Sequence, residues 1–114
     1  MNLLPEGFAA LEPFVERWAI AGTANRAVLR GQSTADERRA SYEAALPMAA
    51  AALDHLDTKA LSKLDVGEQR LMDLVLSFAH VSIAVEIQQE DEAKHAALRA
   101  YVPITRSPAD EVLA

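Results

Sequence analysis

The chain has 114 residues, 51% of them hydrophobic and 25% charged, which suits one globular domain with a real core and excludes a disordered chain. Its net charge of −6 argues against a nucleic-acid binder, which needs a basic face to neutralise phosphates. There is no cysteine, so disulfides, thiolate catalysis and cysteine-ligated metals are ruled out, and a cytoplasmic location is the default expectation.

The opening stretch "MNLLPEGFAALEPF" carries no Lys or Arg and already holds Glu6 and Glu12, which does not fit a signal peptide. A first helix is predicted over 13–30. Pro13 suits its first turn, and Phe14, Trp18, Ala21, Asn25 and Val28 lie on one stripe at helical spacing. Gly31 is a natural stop, while Gly22 and Thr23 weaken the middle and mark where the helix would kink or break. "STADE", at 33–37, reads as the next start: Ser33 or Thr34 can cap, with Asp36 or Glu37 three residues on. The second helix, 34–57, is expected to pack through Tyr42, Leu46, Ala49, Leu53 and Leu56, with a kink at Pro47. Residues 57–64 form a short helix or turn. Asp65, with Glu68 three residues later, caps a third helix over 66–90. "DEAKHAALR", within 91–100, extends it or forms a fourth piece. Pro103 and Pro108 break up the tail, and 103–114 is expected to be mobile. Strand signals and internal repeats are missing. The expectation is one all-α domain spanning 1–114, a small helical bundle of three main helices plus short helical pieces.

The third helix contains "LMDLVLSFAHVSIAVEI", an apolar run that keeps Asp73, Ser77, His80, Ser82 and Glu86. A membrane span is disfavoured, because Asp73, His80 and Glu86 would sit in lipid at about 2.5–3.5 kcal/mol for each charge. On a wheel of about 100° per residue, Asp73, Ser77 and His80 share one stripe and Ser82, Glu86 and Gln89 lie nearly opposite. Two apolar faces lie between, with Leu74, Val81 and Val85 on one and Met72, Leu76, Ile83 and Ile87 on the other. Such a helix has neighbours on two sides and should be central in the bundle.

Asp73, Ser77 and His80 are the residue types of a nucleophilic triad, but one straight helix cannot place the acid on the histidine and the histidine on the serine. Their stripe faces solvent or polar groups of another helix. Glu86 reads first as a structural ion pair or an exposed position, and otherwise as an interface, ligand-binding or acid/base group; if buried it needs a cation or a raised pKa, for which "RGQSTADERR" offers arginines. Glu92 and His95 form a single Glu-x-x-His, the spacing of helical di-iron sites, but those sites use two such motifs and further carboxylates. They are weak metal candidates, and the expected metal set is none. Phe14 and Trp18 read first as core and otherwise as anchors of a partner surface. With Tyr42, His80 and Glu86 they make up the binding or interface candidates. No catalytic residue is assigned. The four glycines are scattered, no phosphate loop is present, and no cofactor is expected.

The segments "LPEGFAALEPFVERWAIA", "YEAALP" and "LMDLVLSFAHVSIAVEI" resemble a group of short helical proteins of proteobacteria without an assigned activity. The likeness covers roughly 4–88 and is carried by Leu11, Glu12, Pro13, Phe14, Trp18, Tyr42, Pro47, Leu76, Ser77, Val85 and Glu86. It implies a soluble α-helical bacterial protein and no particular reaction. Where that group reads "SLAEV", this chain has "SFAHV" at 77–81, which weakens any fixed chemical duty for His80.

Two roles follow as expectations. The first is a non-enzymatic interaction protein, an accessory subunit or regulator, acting as a homodimer or docked on a larger protein. It requires an exposed apolar patch of more than a few hundred Å². The second is a small-molecule binder or modest acid/base enzyme with Glu86 or His80 in an interhelical pocket. Nucleic acid and membrane are not expected partners.

Overall fold

The computed structural model of the protein describes residues 2–105, 107 and 110. Among these there is no strand. The chain folds as an all-α bundle of three helical arms, each with an irregular stretch within its length.

The first arm starts earlier than its stripe suggests. A 3-10 turn, Ala9–Phe14, leads into a single turn of α-helix, α1 (Val15–Trp18). Residues 19–22 are not helical, and Gly22 sits at φ 95, a left-handed conformation open to glycine. The arm restarts as α2 (Thr23–Gln32). This break ends the phase of the predicted stripe. Trp18 is buried, but Val28 is 55% exposed. Gly31 does not stop α2, which runs on to Gln32 and ends at Ser33.

The second arm starts as expected. Thr34 accepts a hydrogen bond from the Glu37 amide while the Glu37 carboxylate accepts one from the Thr34 amide, a full capping box. Helix α3 (Ala35–Ala45) then passes through a 3-10 turn at Leu46–Met48, carrying Pro47, into α4 (Ala49–Leu56). The 3-10 turn winds more tightly than an α-helix, so the face rotates across it. Ala52 and Leu56 are buried, and Leu46 and Leu53 are half exposed rather than part of the seam.

The third arm is capped by a second box, Asp65 with Glu68. Helix α5 (Val66–Ser82) contacts α1, α2, α3 and α4, so it is the central helix. The buried line of this arm includes Leu71, Leu74, Ser77 and Val81 of α5 and Ala84 just beyond it. The arm continues through a π-helical stretch, Ile83–Gln88, and a 3-10 turn, Gln89–Asp91, into α6 (Glu92–Arg99), which packs on α2. Gln89 has φ 46 and ends the regular winding. The stretch Val66–Arg99 is long and apolar enough to cross a membrane by length and composition. In this fold its Asp73 and Glu92 are paired with arginines of α2.

The core is completed by the N-terminal segment, which periodicity alone does not reveal. Leu4, Phe8 and Leu11 are buried with Val15, Trp18, Leu56 and Leu71. The Glu12 carboxylate accepts from the Leu3 and Leu4 amides at 2.9–3.1 Å, and Arg70 donates to the Leu3 carbonyl. These bonds satisfy a stretch that has no helix of its own to do so.

Candidate functional site

Helix α2 is turned against the usual pattern. Arg26, Arg30 and Ser33, spaced by four and three, are 4–5% exposed and face the bundle. Ala24, Ala27, Val28 and Gly31 lie on the opposite side and line an open groove. An arginine can face inward only if its charge is met there. Arg30 donates through Nε and Nη2 to the Glu92 carboxylate, at 3.2 and 2.8 Å, and Arg99 donates to the same carboxylate at 2.6 Å. Arg26 reaches the Asp73 carboxylate at 3.3 Å and lies 3.7 Å from that of Asp110. Its Nε is buried without a hydrogen-bond partner among the described residues. Arg38 of α3 donates to the carbonyls of Arg30 and Ser33 and so ties down the end of α2.

The two inward carboxylates differ in electrostatics. Burial pushes Asp73 above the usual aspartate range, and one long contact to Arg26 with a bond from Gln69 does not offset it. Burial acts on Glu92 in the same direction, but hydrogen bonds from Arg30 and Arg99 outweigh it and hold Glu92 below the usual range. A forked two-point guanidinium contact is stronger than a single one, and here it decides the sign.

Asp110 closes the other end of α2. Gly22 offers no side chain to cap the helix. Asp110, 87 residues away in sequence, accepts from the Thr23 amide at 2.8 Å and from the Thr23 hydroxyl at 2.8 Å. The tail thus reaches back over α2 within the stretch expected to be mobile. The rest of that stretch, 106, 108, 109 and 111–114, lies outside the described residues.

Between α2 and α6 lies a groove of about 1080 Å³. Small residues form its floor: a Cβ placed on Gly31 would stand 3.2 Å from the Ala96 Cβ. Exposed Val28, Ile83, Leu98, Val102 and Ile104 form its walls. Among the described residues its charged lining is Arg30, Arg99 and His95, with no carboxylate. A second void, about 20 Å³ between Phe14, Trp18 and Phe78, has room for about one water and no ligand.

The candidates from sequence fall in different places. Trp18 is core, and Phe14, half buried, packs against the core. Tyr42 is half buried and stacks on Phe78 at 5.7 Å. Burial, together with a hydrogen bond to Glu86, raises its pKa. Glu86 itself is exposed and is not buried against an arginine. The π-helical stretch that carries it shifts the winding that the wheel assumed. The buried, arginine-paired carboxylates are Asp73 and Glu92 instead. Ser77 donates to the Trp18 carbonyl at 2.6 Å and is not a nucleophile poised on a histidine. His80 is half buried. Burial lowers its pKa, and Arg30, Arg26 and Arg99 lower it further against an opposing Asp110. Neither His80 nor Glu86 lines the groove. The pairing of Glu92 with two arginines also removes it as a metal ligand beside His95, because its oxygens are engaged and the surrounding charge is positive. Among the described residues no three His, Asp or Glu side chains gather as a metal set.

What the fold and site define is a small all-α bundle in which α2 turns Arg26 and Arg30 inward beside Leu29, which packs on the core, and leaves Val28 outward. Comparison with protein-family models, curated proteins and solved structures finds no match, so the likeness to short proteobacterial proteins rests on the sequence segments quoted above.

Proposed function

We propose that this is a non-enzymatic, cytoplasmic interaction protein that docks an apolar helical segment of a protein partner in the α2–α6 groove. The single observation that supports this reading is the outward placement of Val28 on α2, above the groove, while Arg26 and Arg30 are turned inward. Folding normally turns apolar side chains inward because each buried CH₂ contributes about 0.8 kcal/mol. Here two arginines take the inward side, and Val28 is left 55% exposed above a small-residue floor. Five large apolar side chains around one groove exceed the scattered exposure of an ordinary surface. An amphipathic helix laid in such a groove buries its apolar stripe there.

The alternative, an acid/base site around His80 or Glu86, has no comparable support. Glu86 is exposed beside Tyr42, and no cavity described above brings it together with His80. The test is native mass spectrometry of the protein purified gently from its own cells, beside Val28→Glu. The wild type should carry the mass of a bound polypeptide, and Val28→Glu should run as the bare chain. A bare wild-type monomer, or a partner retained by Val28→Glu, refutes the reading.

A further inference from the structure

We propose that the N-terminus of α2 is a binding seat for a phosphate-class oxyanion, and that the Asp110 carboxylate holds this seat in cis until such an anion displaces it. The seat is separate from the groove, whose lining includes none of Thr23, Arg26, His80 and Asp110, so the inference stands apart from the docking function.

The start of a helix presents amide donors and the positive end of its dipole, and both suit an anion. The residue before α2 is Gly22, which has no side chain to take them up. A carboxylate from the tail sits there instead. Both Asp110 oxygens accept from the Thr23 amide, at 2.8 and 3.0 Å, and one accepts from the Thr23 hydroxyl at 2.8 Å.

A second, independent feature points to the same ligand. Arg26, one turn into α2, is 4% exposed, yet its guanidinium is short of partners. Nη2 reaches Asp73 at 3.3 Å, Nη1 faces the Asp110 carboxylate at 3.7 Å, beyond hydrogen-bond length, and Nε has no partner among the described residues. Buried donors are ordinarily satisfied and buried cations closely paired. Here the carboxylate is planar and commits both oxygens to Thr23, so neither closes on Arg26. A tetrahedral oxyanion carries further oxygens out of that plane. It can keep the Thr23 amide and hydroxyl while another oxygen meets Nη1, the charge-assisted pairing that a guanidinium makes with phosphate.

Charge asks for an anion at this place. Arg26, Arg30 and Arg99 are met by Asp73, Glu92 and Asp110. With Asp110 withdrawn, three guanidinium groups face two carboxylates. The net charge of −6 does not oppose binding at such short range, because exposed charges more than about 8 Å away are largely screened at physiological ionic strength. The cis occupant is also lightly held. Asp110 keeps 33% of its side chain in water, and residues 101–105, which lead towards it, are all exposed.

The test is amide NMR of the full chain at pH 7, with inorganic phosphate added in place of chloride at constant ionic strength. Wild type is compared with Asp110→Ala and with Asp110→Asn, which keeps a capping oxygen without its charge. In Asp110→Ala the Thr23 amide should shift saturably, while the Glu37 amide, capped by its own Thr34, stays still. The wild type should bind weaker by about tenfold or more, since only its unlatched fraction is competent, and Asp110→Asn should fall between. Glycerol 3-phosphate, as a second probe, separates the sources: binding equal to that of phosphate assigns the seat to phosphate monoesters, and binding of inorganic phosphate alone assigns it to the free ion. No saturable shift at Thr23 in either variant overturns the proposal. So does equal affinity in wild type and both variants, because Asp110 would then not be the competitor.

Discussion

Glu92→Gln is the substitution that most directly probes why α2 turns Arg30 inward. The Glu92 side chain is 1% exposed and faces Arg30, itself 7% exposed, and Arg99, 34% exposed. Removing the negative charge leaves Arg30 as a buried cation without a counter-charge, a loss of about 3–5 kcal/mol. Arg99 softens the effect little, because it can turn to water. Against a total stability of about 5–15 kcal/mol for a domain of this kind, the loss is large. With a urea slope of about 1–3 kcal/mol/M, the unfolding midpoint should fall by about 2 M, read by circular dichroism at equilibrium. The double variant Arg30→Met/Glu92→Leu should recover most of the loss, because replacing both ions by apolar groups removes two desolvation costs together. A Glu92→Gln midpoint within about 0.3 M of wild type would refute the reasoning, since it would mean that the arginines are held inward by something other than this carboxylate.

Further outcomes follow from the same geometry. Gly31→Leu should detach α6 selectively, because the added side chain starts 3.2 Å from Ala96; amide exchange at 92–99 should accelerate while that at Leu71 and Val81 stays slow. Asp110→Asn should speed exchange at the Thr23 amide, which Asp110 caps from the tail, with no change at the Glu37 amide, capped by its own Thr34. His80 has a folded pKa below its usual value, so the unfolded chain takes up a proton first as pH falls. Its contribution to stability is complete above about pH 6.5 and declines through the range below. The thermal midpoint should therefore drop between pH 7 and pH 5, and His80→Gln should flatten that drop. An equal drop in the variant would assign the acid sensitivity to other groups.

The parts of the fold legible in sequence are those governed by neighbours a few residues apart. Thr34 with Glu37 and Asp65 with Glu68 cap their helices through bonds that span three residues. Gly22 and Pro47 break their arms through backbone constraints that need no partner. The central place of α5 was also legible, because two apolar faces on one helix demand neighbours on both. The facing of α2 was not. The sequence offers Arg30 as a partner for Glu86 and assigns nothing to Arg26; that they meet Glu92 and Asp73, 62 and 47 residues away, is encoded in no local pattern. Leu46 and Leu53 were assigned inward because the wheel assumes constant winding, and the 3-10 turn at Pro47 changes it. The π-helical stretch at Ile83–Gln88 likewise moves Glu86 outward. One signal was available: Val28 shares α2 with Ala24, Ala27 and Gly31, a small-residue stripe suited to close helix contact and opposite to the arginines.

The measurement that tests the account most directly is hydroxyl-radical footprinting of the purified chain at low and high concentration. In dilute solution Val28, Leu98 and Tyr101 should label strongly, while Leu71 and Val81, buried beneath α1–α4, stay protected. Val28 and Leu98 already shielded at the lowest concentration would contradict the outward placement of Val28 over the α2–α6 groove.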